Sequence, residues 1–236
     1  MAREYLLFID TETTGLPARW NRPYSDEHAW PCVAQLAWLV YTAEGQLVKT
    51  DQDYLQIPEG SMPASAIVIH GLTPAFLREN GQEPAVVLGR LLADLATFRP
   101  RVVGHFLQLD FHVLGAAFAR AAMPNPLPEL PQFCTMRPPW PALLQEGPAR
   151  YLRLDELHEL LFAEPVAGFH DAFGDATATA RCFFELQRRR VLTPAMLAEH
   201  PRLSEPAGPA GSRRWFGTVL AVGGLLSSFL YWLAHG

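Results

Sequence analysis

The chain has 236 residues, 49% of them hydrophobic, and a formal net charge of −5. This composition supports one domain with a full core plus a short appendage and excludes a largely disordered protein. The negative balance, with Lys49 the only lysine, excludes a global basic field that would draw in duplex nucleic acid. Residues 5–9 form an apolar run ending in Asp10, the pattern of a buried strand and too short for a signal-peptide core, so no export signal is expected. Residues 33–41 and 47–56 read as two further strands joined by a turn at Glu44-Gly45, a hairpin. A loop with Pro58, Gly60 and Pro63 follows. Residues 85–98 carry Val87, Leu88, Leu91, Leu92 and Leu95 at helical spacing. Residues 101–104 predict a short strand, and 110–122 a helix that begins at Asp110 with Phe111, Leu114 and Phe118 as its stripe. The proline-rich stretch 124–141 is irregular, with a short strand at Phe133-Cys134, and helices are expected over 154–162 and 172–189. Strands first, then strands alternating with helices, predict an α/β fold with a mixed sheet flanked by helices.

Residues 1–200 are thus one domain. Pro206, Gly208, Pro209, Gly211 and Ser212 mark residues 201–214 as a flexible linker. Residues 215–234 contain no charge and have the length a helix needs to cross a hydrocarbon layer of ~30 Å. Aromatics flank the stretch at Trp215-Phe216 and Tyr231-Trp232, and Arg202, Arg213 and Arg214 precede it. The expectation is a C-terminal transmembrane helix in a bacterial inner membrane, with the domain facing the cytoplasm. Gly217, Ala221, Gly224 and Ser228 recur at helical spacing, which suits a helix-mediated dimer. A soluble apolar helix docked on a partner or on the domain is the rival reading. Cys32, Cys134 and Cys182 imply neither a zinc site nor a disulfide framework and fit a reducing compartment.

Three distant stretches carry the acids of one metal site: Asp10-Thr11-Glu12-Thr13-Thr14-Gly15, Gly104-His105-Phe106-Leu107-Gln108-Leu109-Asp110, and His170-Asp171-Ala172-Phe173-Gly174-Asp175. Asp10 and Glu12, two apart, share one face of a strand, where they repel each other unless a cation lies between them. Asp110 follows a short strand; Asp175 is early in the last long helix, with His170 in the loop before it. Hard oxygen ligands of this kind suit Mg2+ or Mn2+, and a close metal pair can drive phosphodiester cleavage. Singly, each residue has a plainer role: Asp10 and Glu12 in a solvated turn, Asp110 as a helix cap, His170 in an ordinary loop. Trp20, Tyr24, Arg22 and Trp30 lie in a long loop after Gly15, where they could stack bases or pack a lid; His105 and His112 read as structural.

As a set, these motifs resemble the DEDD 3′–5′ exonuclease superfamily in its histidine-bearing branch, which includes the proofreading subunits of bacterial replicative polymerases. The family's Asp-x-Glu-Thr, His-Asn-x-x-Phe-Asp and His-x-Ala-x-x-Asp motifs fall in order on Asp10 and Glu12, on Asp110, and on His170 and Asp175, and the likeness spans about residues 5–190. Phe106 stands where relatives often carry Asn, and Leu109 replaces the usual Phe. The resemblance implies a ribonuclease H-like fold and two Mg2+ or Mn2+ ions. Asp10, Glu12 and Asp175 would hold one ion, with Asp10 and Asp110 at the other. It also implies that His170 takes a proton from the attacking water and that 5′-mononucleotides leave. Thr13, Thr14, His70, Gly71 and Phe106 would contact the 3′ end of single-stranded DNA or RNA. No polymerase partner is legible. An exoribonuclease acting on short RNA, and a non-catalytic nucleic-acid-binding adaptor on the same fold, remain the alternatives.

Overall fold

The computed structural model describes residues 4–137, 140, 151–166 and 170–207. Its frame is a five-stranded sheet in the order β3-β2-β1-β4-β5, built from β1 (Tyr5–Thr13), β2 (Val33–Thr42), β3 (Leu47–Tyr54), β4 (Arg101–Gly104) and β5 (Gln132–Cys134). β2 runs antiparallel to β1 and β3, whereas β4 runs parallel to β1 and β5, so the sheet is mixed as expected. Seven helices surround it among the described residues: α1 (Ala64–His70), α2 (Pro74–Asn80), α3 (Pro84–Phe98), α4 (Leu107–Arg120), α5 (Leu154–Phe162), α6 (Ala172–Arg188) and α7 (Pro194–Glu199).

Strand alternation divides the core in two. Leu7 and Ile9 of β1 face α3 and α4, where they meet Val87, Leu88, Phe111 and Leu114. Leu6 and Phe8 face the other way and pack with Leu157 of α5 and with Phe183 and Leu186 of α6. By the same alternation Asp10 and Glu12 belong to the α5–α6 side, and Thr11 to the α4 side.

The strands differ in length, and that difference opens the site. β1 continues to Thr13, four residues past the predicted end, because Asp10 to Thr13 keep their pairing with β2. β4 pairs with β1 only from Leu6 to Phe8, which leaves β1 from Ile9 onward without a strand on that side. The chain turns into α4 immediately after β4. Gly104 permits the turn, since a Cβ there would lie 3.0 Å from Leu107 Cδ1 and 3.3 Å from the Ile9 carbonyl oxygen. α4 begins at Leu107, not at Asp110 as the spacing suggested: Phe106 takes the N-cap position and Asp110 falls in the first helical turn.

Two more differences come from short elements. α1 and α2 occupy the segment expected to be loop. Gly71, at φ 75°, ends α1, and the Thr73 hydroxyl caps α2 by accepting from the Phe76 N–H. Helices of seven residues show too little periodicity to be read from sequence. Residues 201–207 have no regular secondary structure but are tied down. The Leu203 N–H donates to Gln132 Oε1 at 2.8 Å, and Asn125 donates to Glu205. Residues 208–214 of the expected linker, and the apolar stretch 215–234, lie outside the described residues. Among the described residues no helix is long and apolar enough to cross a membrane. All three cysteines are free.

The loop over residues 16–31 is bound firmly to α4. The Arg120 guanidinium donates to the carbonyls of Pro31, Glu27 and Trp30. Tyr24 and Trp30 are buried against the helix. Gly115 makes that contact possible, because a Cβ there would lie 2.5 Å from the Tyr24 ring. Gly115→Ala should therefore overpack the interface and lower stability by about 1–3 kcal/mol. Urea unfolding followed by tryptophan fluorescence reads this directly; an unchanged midpoint would show that the loop yields without cost.

Candidate active site

Each acid reaches the site by a different route. Glu12 lies at a bulge in the β1–β2 ladder and pairs with Gln35 across the strands. Bulges of this kind redirect side chains at a sheet edge. Asp110 approaches through the opening beyond β4, where its carboxylate accepts a 2.8 Å hydrogen bond from the Thr11 hydroxyl. Asp175 arrives on the first turn of α6. That helix is fixed by Asp171, whose side chain caps it by accepting from the Gly174 N–H at 3.0 Å. Gln35 clamps the same turn from β2: its amide donates to Asp171 at 2.7 Å and accepts from the Ala172 N–H at 3.2 Å.

Glu12, His170 and Asp175 converge so that one ligand atom from each lies within 4.8 Å of the others. Asp10 and Asp110 stand alongside. Burial, then Asp110, Asp175, Glu12 and Asp171 in turn, raise the Asp10 pKa well above the ordinary carboxyl range. Burial, then Asp175, Asp110 and Asp171, raise Glu12 to about 8. Burial carries Asp110 to about 7 against the lowering effect of the Thr11 hydroxyl, and Asp175 adds to the rise. Asp175 likewise goes to about 7 through burial, with Asp171 and Asp155 contributing and the His170 backbone opposing. His170 moves the other way: burial and the Arg153 guanidinium lower its pKa, partly offset by Asp155. It is therefore neutral at physiological pH.

The donor set fits a divalent cation. Asp175 Oδ1 is buried with no hydrogen-bond partner among the described residues, and buried carboxylate oxygens are seldom left so. The crowded acids raise one another's pKa, a repulsion that a cation would reverse. Oxygen donors with one imidazole match magnesium, manganese or zinc by ligand type.

The other expected contacts surround this centre. His70 lies beside the Thr13 backbone, and the neighbouring His170 affects its pKa. Its Nδ1 accepts from the Leu72 N–H at 3.0 Å, so the neutral ring carries its proton on Nε2. Burial holds its pKa below the usual value. Gly71 follows as the α1 cap. The Thr13 hydroxyl donates to the Gly15 carbonyl at 2.7 Å, and the Thr14 hydroxyl accepts from the Cys32 N–H at 2.9 Å, so both shape the turn after β1. Phe106 precedes α4 in the left-handed region. His105 and His112 lie apart from the acids. His105 is hydrogen-bonded to Thr135 and the Leu152 carbonyl, and His112 to Tyr24. Thr11, Gln35 and Asp171 escaped the sequence reading. Asp171, next to His170 and four residues before Asp175, had the spacing of a helix cap; Thr11 and Gln35 carried no local signal.

The family model described as exonuclease (RNase T) matches residues 7–183. Solved structures with the same fold include Escherichia coli exonuclease I in a zinc-bound complex with single-stranded DNA, at 21% identity and TM-score 0.65, covering 80% of this chain and 42% of that one. Exonuclease I of the same organism in complex with a dT13 oligonucleotide matches at 19% identity and TM-score 0.63, covering 79% and 42%. A product-bound exonuclease I matches at 20% identity and TM-score 0.63, covering 80% and 45%. The chain thus spans less than half the length of these structures. Comparison with curated proteins returned no significant sequence match.

The raised acids have a consequence for stability. Their unfolded pKa values are 4.5 for Glu12 and 3.8 for Asp110 and Asp175, against about 8, 7 and 7 in the fold. The stabilising protonated form is complete below the unfolded values and is lost as pH rises through the folded ones. In EDTA, the melting temperature should therefore fall between pH 5 and pH 8, and added Mn2+ should raise it more at pH 8 than at pH 5. Melting that is flat with pH in EDTA and indifferent to Mn2+ would contradict a caged acid cluster.

Proposed function

The chain belongs to the RNase T exonuclease family and is a nuclease of the DEDD superfamily, and from this premise we propose that it is a metal-dependent 3′–5′ exonuclease releasing 5′-mononucleotides from single-stranded DNA. The observation that carries this reading is the meeting of Glu12, His170 and Asp175 within 4.8 Å, with Asp10 close enough to be shifted by Glu12 and Asp175, and Asp110 close enough to shift Glu12. Single-stranded DNA is favoured because the structures of like fold include complexes with it. In this reading Asp10, Glu12, Asp110 and Asp175 would hold the metal, as two Mg2+ or Mn2+ ions. When bound, such ions acidify a coordinated water and offset the charge that builds on the phosphate.

The protein's own groups do the rest. Gln35 and Asp171 fix the start of α6 and hence where the Asp175 carboxylate sits. Thr11 holds Asp110 in place. His170, kept neutral by burial and Arg153, accepts the proton from the attacking water on an imidazole nitrogen. His70, beside the Thr13 backbone, and Gly71, which turns the backbone there, would contact the strand end.

The test is digestion of 5′-labelled single strands of DNA and RNA by the full chain. With Mg2+ or Mn2+ the label should move into a ladder that shortens from the 3′ end. EDTA should abolish it, and Asp175→Asn should lower kcat by about three orders of magnitude. Cleavage that survives EDTA, or a variant as active as the parent, would reject the assignment; faster digestion of RNA would transfer it to an exoribonuclease.

Residues 215–234 complete the proposal as a membrane anchor that leaves the catalytic domain in the bacterial cytoplasm, with the helix available for self-association. The uncharged stretch after Arg213 and Arg214 supports this. Expressed in a bacterium, the protein should stay in the membrane pellet after alkaline carbonate extraction. Complete release to the supernatant would remove the anchor.

A further inference from the structure

We propose that Asp155 is a positioning residue for His170: its carboxylate accepts from one ring N–H and so leaves the opposite nitrogen to take the proton of the attacking water. This deepens the exonuclease reading and rests on it. The first observation is an unmatched acceptor. Asp155 Oδ2 lies 3.2 Å from the Arg153 guanidinium, whereas Oδ1 is buried and has no hydrogen-bond partner among the described residues. A buried carboxylate oxygen is costly to leave unpaired. Helix capping does not account for it, because the Arg153 N–H at the start of α5 already donates to the Glu156 carboxylate at 2.9 Å.

The second observation is where the start of α5 is held. His105 is buried in the turn between β4 and α4, with Nδ1 2.9 Å from the Thr135 hydroxyl. Its Nε2 is 3.0 Å from the Leu152 carbonyl oxygen and must donate, since a carbonyl only accepts. That bond ties the residue three before Asp155 to the turn that leads into the helix of Asp110. At the far end of α5, the Leu161 carbonyl accepts from Arg189, and the Phe162 ring lies 4.6 Å from the Arg181 guanidinium. Arg181 belongs to the second half of α6 and Arg189 is its C-cap. α5 therefore lies along α6 with its first turn toward the end that carries Asp175.

The third observation is electrostatic. After burial, the charges that act on His170 are Arg153, which lowers its pKa, and Asp155, which raises it. Asp155 is also among the acids that, after burial, raise Asp175. The side chain thus stands near both the imidazole and a metal-binding acid. His170 itself lies in the turn before α6 at φ 63°, outside any regular element that would aim its ring. An imidazole that takes a proton on one nitrogen becomes a cation with a second N–H. A carboxylate facing that N–H sets the tautomer beforehand and steadies the cation afterwards, without itself being protonated. Such contacts are often loose before substrate binds and tighten in the complex.

The test compares the full chain with Asp155→Asn, Asp155→Glu, His170→Ala and the double variant of Asp155→Asn with His170→Ala, on single-stranded DNA with Mn2+. Asp155→Asn should lower kcat by about 10- to 100-fold with KM near the parent's, and Asp155→Glu should recover most of that loss. In the His170→Ala background, Asp155→Asn should cost nothing further. An unchanged kcat, or an equal loss with and without His170, would overturn the proposal. Calorimetric Mn2+ affinity should match the parent's; a fall of about tenfold or more would make Asp155 a ligand and overturn it as well. Proton–nitrogen correlation spectra of the histidine-labelled chain in EDTA ask the same question without turnover. The His170 signals, identified by their loss in His170→Ala, should show one dominant tautomer in the parent and in Asp155→Glu, and a mixture in Asp155→Asn. That result supports the contact even if the chain cuts nothing; the same tautomer in all three defeats it even in an active nuclease.

Discussion

Carboxylates held together away from water dominate this fold. Burial raises the pKa of Asp10, Glu12, Asp110 and Asp175, and Asp175 adds to the rise at the other three. Such a cluster lowers the stability of the metal-free chain near neutral pH, so the surrounding structure must hold it in place. Asp171 is close enough to raise the pKa of three of them, yet its own oxygens are occupied by Gln35 and the Gly174 N–H. It therefore acts as a helix cap and adds no open ligand.

The sheet makes the gathering possible. β1 outruns β4, and the opening at its exposed side is where α4 delivers Asp110. The two faces of β1 then divide the labour: Asp10 and Glu12 look toward α6, while Thr11 looks toward α4 and holds Asp110. A β4 extended by two or three residues would pair with β1 across this opening and exclude Asp110. The shortness of that strand is thus as much a part of the site as any ligand.

Much of this was legible in the chain. The apolar runs of β1 and β2, the stripe of α3 and the amphipathic α5 gave the mixed sheet and its flanking helices, since continuous apolar runs mark buried strands and longer periodic patterns mark helices. The acids were found by their order and their resemblance to a family. Helices α1 and α2 were missed because one or two turns cannot establish a period. The start of α4 was misplaced because Phe106 gives no sign in sequence of its left-handed backbone, and a helix was more naturally begun at an aspartate. Thr11 and Gln35 were invisible for a different reason. Their partners lie 99 and 136 residues away, and single hydrogen bonds across such separations leave no local pattern.

The Gln35 clamp has a bearing on biosynthesis. It joins a strand made early to a helix made late, and the acids flanking the cleft come from both ends of the domain. A nascent chain that has not yet emerged as far as residue 175 lacks one of the four acids and the last long helix that carries it. The site is therefore assembled only when translation of the domain is nearly done.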